Sequence, residues 1–111
     1  MGNEFVDYVL EQLSPLGGVR AKRMFGGHGI YLEGLFFALV ADDTLYLKAD
    51  DENRPQFESR GLGPFRYRVK GKERTMSYYS LPDAALEDRA ELLTWARPSI
   101  EAALRAAARK A

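Results

Sequence analysis

The chain has no cysteine, a single histidine and a single tryptophan. Without cysteine there is no disulfide scaffold, thiolate metal site, cysteine nucleophile or thiol switch. The same absence is consistent with a reducing compartment. A lone histidine, His28, rules out three-histidine zinc sites and paired-histidine motifs. Long apolar runs are missing too. The longest, Leu35 to Ala41, is far short of the roughly 20 residues a membrane-spanning helix needs. Met1 to Asp7 lacks the basic-then-apolar pattern of a secretion signal. A cytoplasmic protein with no membrane association is therefore expected. Neither sign of charge is in excess: sixteen Lys and Arg balance sixteen Asp and Glu. A protein that coats nucleic acid non-specifically is usually clearly basic.

What is present suits one globular unit. With 111 residues, the chain falls in the range of a single domain, here residues 1–111, able to bury a core without staples. The charge is unevenly placed, since eight of the sixteen cations fall in residues 20–23 and 66–74.

Periodicity supplies the elements. Phe5, Val6, Val9, Leu10 and Leu13 recur at helical spacing after Asn3, a residue suited to cap the free N–H groups of a helix over Glu4 to Leu13. Ser14-Pro15 ends it. Val19 to Phe25 reads as a strand with Arg20, Lys22 and Met24 on one face. Gly26-Gly27-His28-Gly29 reads as a bulge or bend, followed by a strand over Ile30 to Leu32. Glu33-Gly34 and Asp42-Asp43 are turns flanking Leu35 to Ala41, which reads as a central strand buried on both faces. Thr44 to Ala49 returns with alternating faces. Asp50 or Asp51 is a candidate cap for a short helix with Pro55 in its first turn and an end near Gly61. Phe65 to Val69 and Glu73 to Ser80 form a hairpin around Gly71. The last helical region runs from about Asp83 to Arg109, and Pro98 predicts either a kink or two abutting helices. The order α-β-β-β-β-α-β-β-α with short connections predicts an α+β, two-layer domain, its largely antiparallel sheet covered by helices on one side.

Catalytic and ligand motifs are sparse. His28 is compatible with a general base, but no Ser or acid neighbours it, which favours a turn residue. The glycines miss the dinucleotide pattern because Leu32 occupies the third glycine position, and no Gly-Lys-Ser/Thr follows. Asp42-Asp43 and Asp50-Asp51-Glu52 lack the alternate spacing of a calcium loop and read as turn and cap residues. No cofactor or metal is expected. On Met76-Ser77-Tyr78-Tyr79, neighbouring side chains point to opposite faces, so only one tyrosine is expected in the core of a one-sided sheet.

The basic hairpin is the leading surface. Arg66, Arg68 and Lys70 alternate with Phe65, Tyr67 and Val69. With the apolar set facing inward, the cations line the outer face. A two-residue loop keeps Phe65, Tyr67 and Val69 with Arg74, Met76 and Tyr78 and brings Glu73 near the outer cations, whereas a slip of one residue would flip the strand. Arg20 and Lys22 extend this surface if their strand shares the sheet face. Such a cluster suits phosphate contacts with DNA or RNA, and equally suits a solvated face that discourages edge pairing.

Several segments together resemble the TfoX N-terminal domain family. They are Lys22-Arg23-Met24-Phe25-Gly26-Gly27-His28-Gly29-Ile30-Tyr31, Phe37-Ala38-Leu39-Val40, Leu45-Tyr46-Leu47-Lys48, Pro64-Phe65, Met76-Ser77-Tyr78-Tyr79 and Trp95-Ala96-Arg97. Within them Arg23, Met24, Phe25, Gly26, Gly27, Gly29, Tyr46, Lys48, Tyr78 and Tyr79 are the motif positions. The likeness runs from about Phe5 to Ala107. It implies a secretion-chaperone-like α+β fold in a bacterial cytosolic protein, a stand-alone counterpart of the N-terminal domain of competence regulators. It supplies no catalytic residues. The expected function is a non-enzymatic regulatory or accessory role through a protein partner or weak nucleic-acid binding. The alternatives are a small-molecule or enzymatic site at Phe25 to Tyr31, or a dimeric chaperone-like module.

Overall fold

A computed structural model describes residues 3–24 and 26–110; Phe25, a motif position and part of the alternative site, lies outside the described residues. Helix α1 (Glu4–Gln12) begins where Asn3 accepts a hydrogen bond from the Val6 N–H through its side-chain oxygen, 3.1 Å away. A single 3₁₀ turn over Ser14–Leu16 follows. The strands are β1 (Val19–Met24), β2 (Gly27–Leu32), β3 (Leu35–Ala41), β4 (Thr44–Lys48), β5 (Pro64–Val69) and β6 (Lys72–Ser80). Helix α2 (Arg54–Glu58) separates β4 from β5, and α3 (Asp83–Glu87) and α4 (Arg89–Lys110) close the chain. All six strands join one antiparallel sheet in the order β1-β2-β3-β4-β6-β5.

The helices cover one face of the sheet. Val6, Val9 and Leu13 of the α1 segment and Leu92, Trp95, Ala96 and Ala103 of α4 pack with Ile30, Phe37, Ala38, Val40, Leu45, Leu47 and Tyr79 from the strands. Strand alternation then sends Tyr31, Leu39, Tyr46 and Tyr78 to the opposite face, and none of these joins the helix-side core. Two register shifts adjust the alternation. One, beside Ile30 and Tyr31, gives β3 an extra residue, so that Phe37 enters the core while Phe36 opposes Tyr31. The other lies between Pro64 and Phe65, where β6 carries Ser77 and Tyr78 as extra residues.

Several expectations change. Gly27, His28 and Gly29 are not a bend: they lie in β2, and only Gly26 (φ 74°) turns the chain. Glycine at 27 serves close approach instead, since a Cβ there would lie 2.2 Å from the Val40 carbonyl oxygen. Asp50 and Asp51 do not cap α2, whose N-cap is Asn53. Asp50 instead accepts from the Glu52 N–H and pairs with Arg105. The last helical region breaks at Asp88 rather than at Pro98. Asp88 is extended and its carboxylate accepts from the Glu91 N–H, whereas Pro98 lies inside α4. A proline within a helix removes one backbone bond. Here buried Trp95, Ala96, Ser99 and Ala102 hold both flanks against the protein. Both Tyr78 and Tyr79 are buried, at 4% and 8% exposure. Tyr79 is in the helix-side core, and Tyr78 is covered on the other face by Phe36.

Asp50 and Arg105 tie the end of β4 to α4 through two charge-assisted hydrogen bonds, 2.6 and 3.0 Å long. The Arg105 guanidinium holds the Asp50 carboxyl down at about 2, aided by the Glu52 and Asn53 amides and against its partial desolvation. The unfolded chain therefore binds the extra proton first. The stabilisation is complete above the ordinary carboxylate range, shrinks below about pH 4 and is lost as pH falls through about 2. Asp50→Asn should cost on the order of 1 kcal/mol at neutral pH, after screening, and should flatten the acid limb of a stability–pH curve. Gly27→Ala should cost on the order of 2–4 kcal/mol in urea unfolding. Gly63→Ala, whose added methyl meets open space, should change stability by less than about 0.5 kcal/mol.

Candidate nucleic-acid interface

The hairpin has the register expected for a two-residue loop. Val69 opposes Lys72, Tyr67 opposes Arg74, and Phe65 opposes Met76, with Lys70 (φ 53°) and Gly71 (φ 78°) in the turn. The side facing the helices differs from the expectation. Phe65 contacts Tyr46 with ring centroids 5.1 Å apart and stacks on Tyr67 at 6.0 Å. The apolar side of the hairpin thus belongs to the sheet face that carries no helix. Arg66 and Arg68 project from the other side. There Arg66 Nη1 lies 3.5 Å from Glu73 Oε1, and Arg68 Nη1 donates to the Gly71 carbonyl at 3.2 Å. These cations are exposed, and their charge is partly answered by Glu73.

Arg20 and Lys22 do not join them. Strands β1 and β5 are the two edges of the sheet, and Arg20 and Lys22 share a face with Tyr31 and Gly29, their neighbours across the β1–β2 pair. That is the open face. A surface depression of about 380 Å³ lies there, lined by Gly18, Arg20, Ala21, Lys22, Tyr31 and Gly34. The Tyr31, Phe36 and Tyr78 rings continue from it, each 5.1 Å from the next. Lys48 Nζ sits 5.1 Å from the Tyr78 ring centroid, a cation–π geometry. Burial and the nearby Tyr31 raise the Tyr78 phenol well above its ordinary pKa, so it stays a neutral ring and donor.

The sheet curls toward this face. Met24 of β1 and Phe65 of β5, from opposite edges, line one small cavity with Gly27, His28, Leu39, Val40 and Ala41. Its volume is about 10 Å³, room for one water molecule at most. Across the open face the aromatic rings thus form two runs, Tyr31–Phe36–Tyr78 and Tyr46–Phe65–Tyr67, in a trough closed at the Met24–Phe65 end. By strand alternation Lys72 and Arg74 join Val69 and Tyr67 on this side. No Asp or Glu among the strand residues points into the trough; Asp42 and Asp43 lie in turns, and Glu33, also in a turn, lays its side chain against Gly18 at the rim of the depression.

The motif positions fall into place around this surface. Met24 lies over Gly29, whose added Cβ would meet the Met24 side chain at 2.8 Å. Tyr46, Lys48 and Tyr78 line the open face, and Tyr79 supports it from the core side. Arg23 is exposed on β1. His28 pairs with Val40 in β2–β3, and its buried Nδ1 finds no hydrogen-bond partner among the described residues. Among the described residues of the alternative site, Gly27 and His28 border the cavity of about 10 Å³, and Tyr31 borders the depression of about 380 Å³. On α4, Leu104 is the large apolar side chain left exposed, at 54%. No group of three or more potential metal-ligating side chains occurs among the described residues, and none of their helices is long and apolar enough to cross a membrane. Sequence reasoning missed Phe36 as a surface ring, because the β3 irregularity that turns it outward has no glycine or proline to announce it.

The family model for the TfoX N-terminal domain matches residues 11–103. The chain belongs to that family. Among curated proteins it is similar to the DNA transformation protein TfoX1 of Aliivibrio fischeri, with 30% identity over 89 residues, 80% of this chain and 43% of that relative. It is also similar to Protein Sxy of Escherichia coli, with 25% identity over 95 residues, 86% of this chain and 46% of that relative. The TfoX N-terminal domain chain thus spans less than half the length of these relatives.

The two faces of the sheet make distinct demands on neighbouring phenylalanines. Phe37→Ala, in the helix-side core, should cost about 3–5 kcal/mol in chemical denaturation. Phe36→Ala, half-buried on the open face, should cost roughly half as much.

Proposed function

We propose that this chain is a regulatory protein of the DNA-transformation type, acting by binding rather than by catalysis, through a protein partner or nucleic acid. The observation that carries this reading is the family match over residues 11–103, joined by the name of the relative TfoX1, a DNA transformation protein. The structure supports it in a specific way. Pre-formed polar groups converging in a ligand-sized pocket are the usual mark of a small-molecule site. The cavity beside His28 holds about 10 Å³, and the depression of about 380 Å³ beside Tyr31 is open to solvent and belongs to the sheet face, which offers rings and cations to a larger partner. The basic residues expected to touch phosphate, Arg20, Lys22, Arg66, Arg68 and Lys70, divide between that face and the hairpin's other side and turn. Phosphate contacts from such residues position a partner and carry little base specificity.

The test is deletion of the gene in its host, with transcripts of the DNA-uptake genes and transformation frequency measured under inducing conditions. Both should fall and should return when the wild-type chain is restored. Unchanged transcripts and unchanged transformation would contradict a regulatory role.

A further inference from the structure

We infer that the open face of the sheet is a binding trough for single-stranded nucleic acid, with bases stacked on its rings and phosphates held by the cations along its walls. The inference deepens the regulatory reading and rests on it for its biological setting, though not for its physical basis. Three observations carry it. First, the face pairs ring surface with positive charge. Tyr31 lies beside Arg20 and Lys22 in the depression at the β1 edge, and Tyr67 lies beside Arg74 at the β5–β6 edge. Second, the charge is one-sided. The whole chain is neutral, with sixteen cations and sixteen acids, yet the strand residues that point into the trough include Arg20, Lys22, Lys72 and Arg74 and no carboxylate. The acids concentrate elsewhere, for example Asp50 and Glu52 against Arg105 and Glu11 against Arg89. A polyanion is the complementary partner. Third, the shape selects a single strand. A curled sheet, closed at the Met24–Phe65 end, cannot present its rings to the base faces of a duplex, which are stacked inside the helix. Unpaired bases do present those faces, and stacking on aromatic side chains is tolerant of sequence. A sheet face of one small domain accommodates a few nucleotides, the lower end of the site sizes such platforms show.

The test uses fluorescence anisotropy with labelled oligo-U, oligo-dT and a duplex, each of about 15 nucleotides per strand, across a salt series. Three variants are compared with wild type after their folds are checked by thermal melting. Arg20→Gln/Lys22→Gln removes charge from the trough. Tyr67→Ser removes an exposed ring, 38% accessible, whose loss leaves the core intact. Arg66→Gln/Arg68→Gln removes the same charge from the opposite side of the hairpin. The expected result is binding of single strands about tenfold or more tighter than duplex, weakening as salt rises. The trough charge variant and Tyr67→Ser should each lose roughly fivefold to a hundredfold, while the opposite-side variant stays within about twofold. Equal affinity for duplex and single strand, or an equal loss from the opposite-side variant, would overturn the proposal in favour of diffuse charge attraction. No binding at low salt would also overturn it. Either failure leaves the deletion test of the regulatory role untouched, and an unchanged transcript profile would sink that role without altering measured oligonucleotide affinities.

Discussion

Side chains along a strand alternate between two faces, and in this domain helices cover only one of them. The rest of the structure follows from that constraint. Leu45 and Leu47 point to the helix-side core beneath α4, so Tyr46 and Lys48, which alternate with them, must point away. A face with no covering layer needs another way to keep its residues dry. Here it curls and packs rings on one another, to the point that Leu39 and Tyr78 are nearly as inaccessible as the helix-side core. The two register shifts are the devices that permit this. The shift in β3 places Phe37 inward and Phe36 outward in consecutive positions, and bulges increase local twist and bend the strand.

The same constraint separates stability from recognition. The helix-side core and the Asp50–Arg105 tie hold the layers together, with α1 joined to α3 through Gln12 and Tyr8 on the Leu86 carbonyl and to α4 through Arg89 on the Glu11 carbonyl. The open face is free of that duty except near its closed end. Its outer wall, the tip of the β5–β6 hairpin, is exposed from Arg66 through Thr75. A segment with few buried apolar contacts belongs to the low-stability end of a protein's local unfolding spectrum.

Much of the fold was legible in the sequence because local signals agreed. Asn3 before an apolar stripe, the Glu33-Gly34 and Asp42-Asp43 turns, and a two-residue loop at Lys70-Gly71 each fix a boundary or a register. Three features were not legible. The glycines at 27 and 29 look like a bend in isolation, and only the carbonyl of Val40 and the side chain of Met24 show that they are close-contact positions within a strand. The break at Asp88 is weaker in sequence than Pro98, yet a cap hydrogen bond and packing of both flanks decide the outcome. Finally, an apolar stripe on a strand marks a side to be covered but not whether helices cover it. Phe65 and Tyr67 do point inward, but into the trough, so the basic residues of the hairpin and those of β1 came out on different surfaces.

The most direct measurement is chemical-shift mapping of the isotopically labelled protein during titration with oligo-U. If the open face is the working surface, shifts concentrate on Arg20, Lys22, Tyr31, Tyr46 and Tyr67 and on the β5–β6 turn, while the amides of α1 and α4 stay still. Shifts centred on α4, or confined to the Arg66 and Arg68 side of the hairpin, would contradict it.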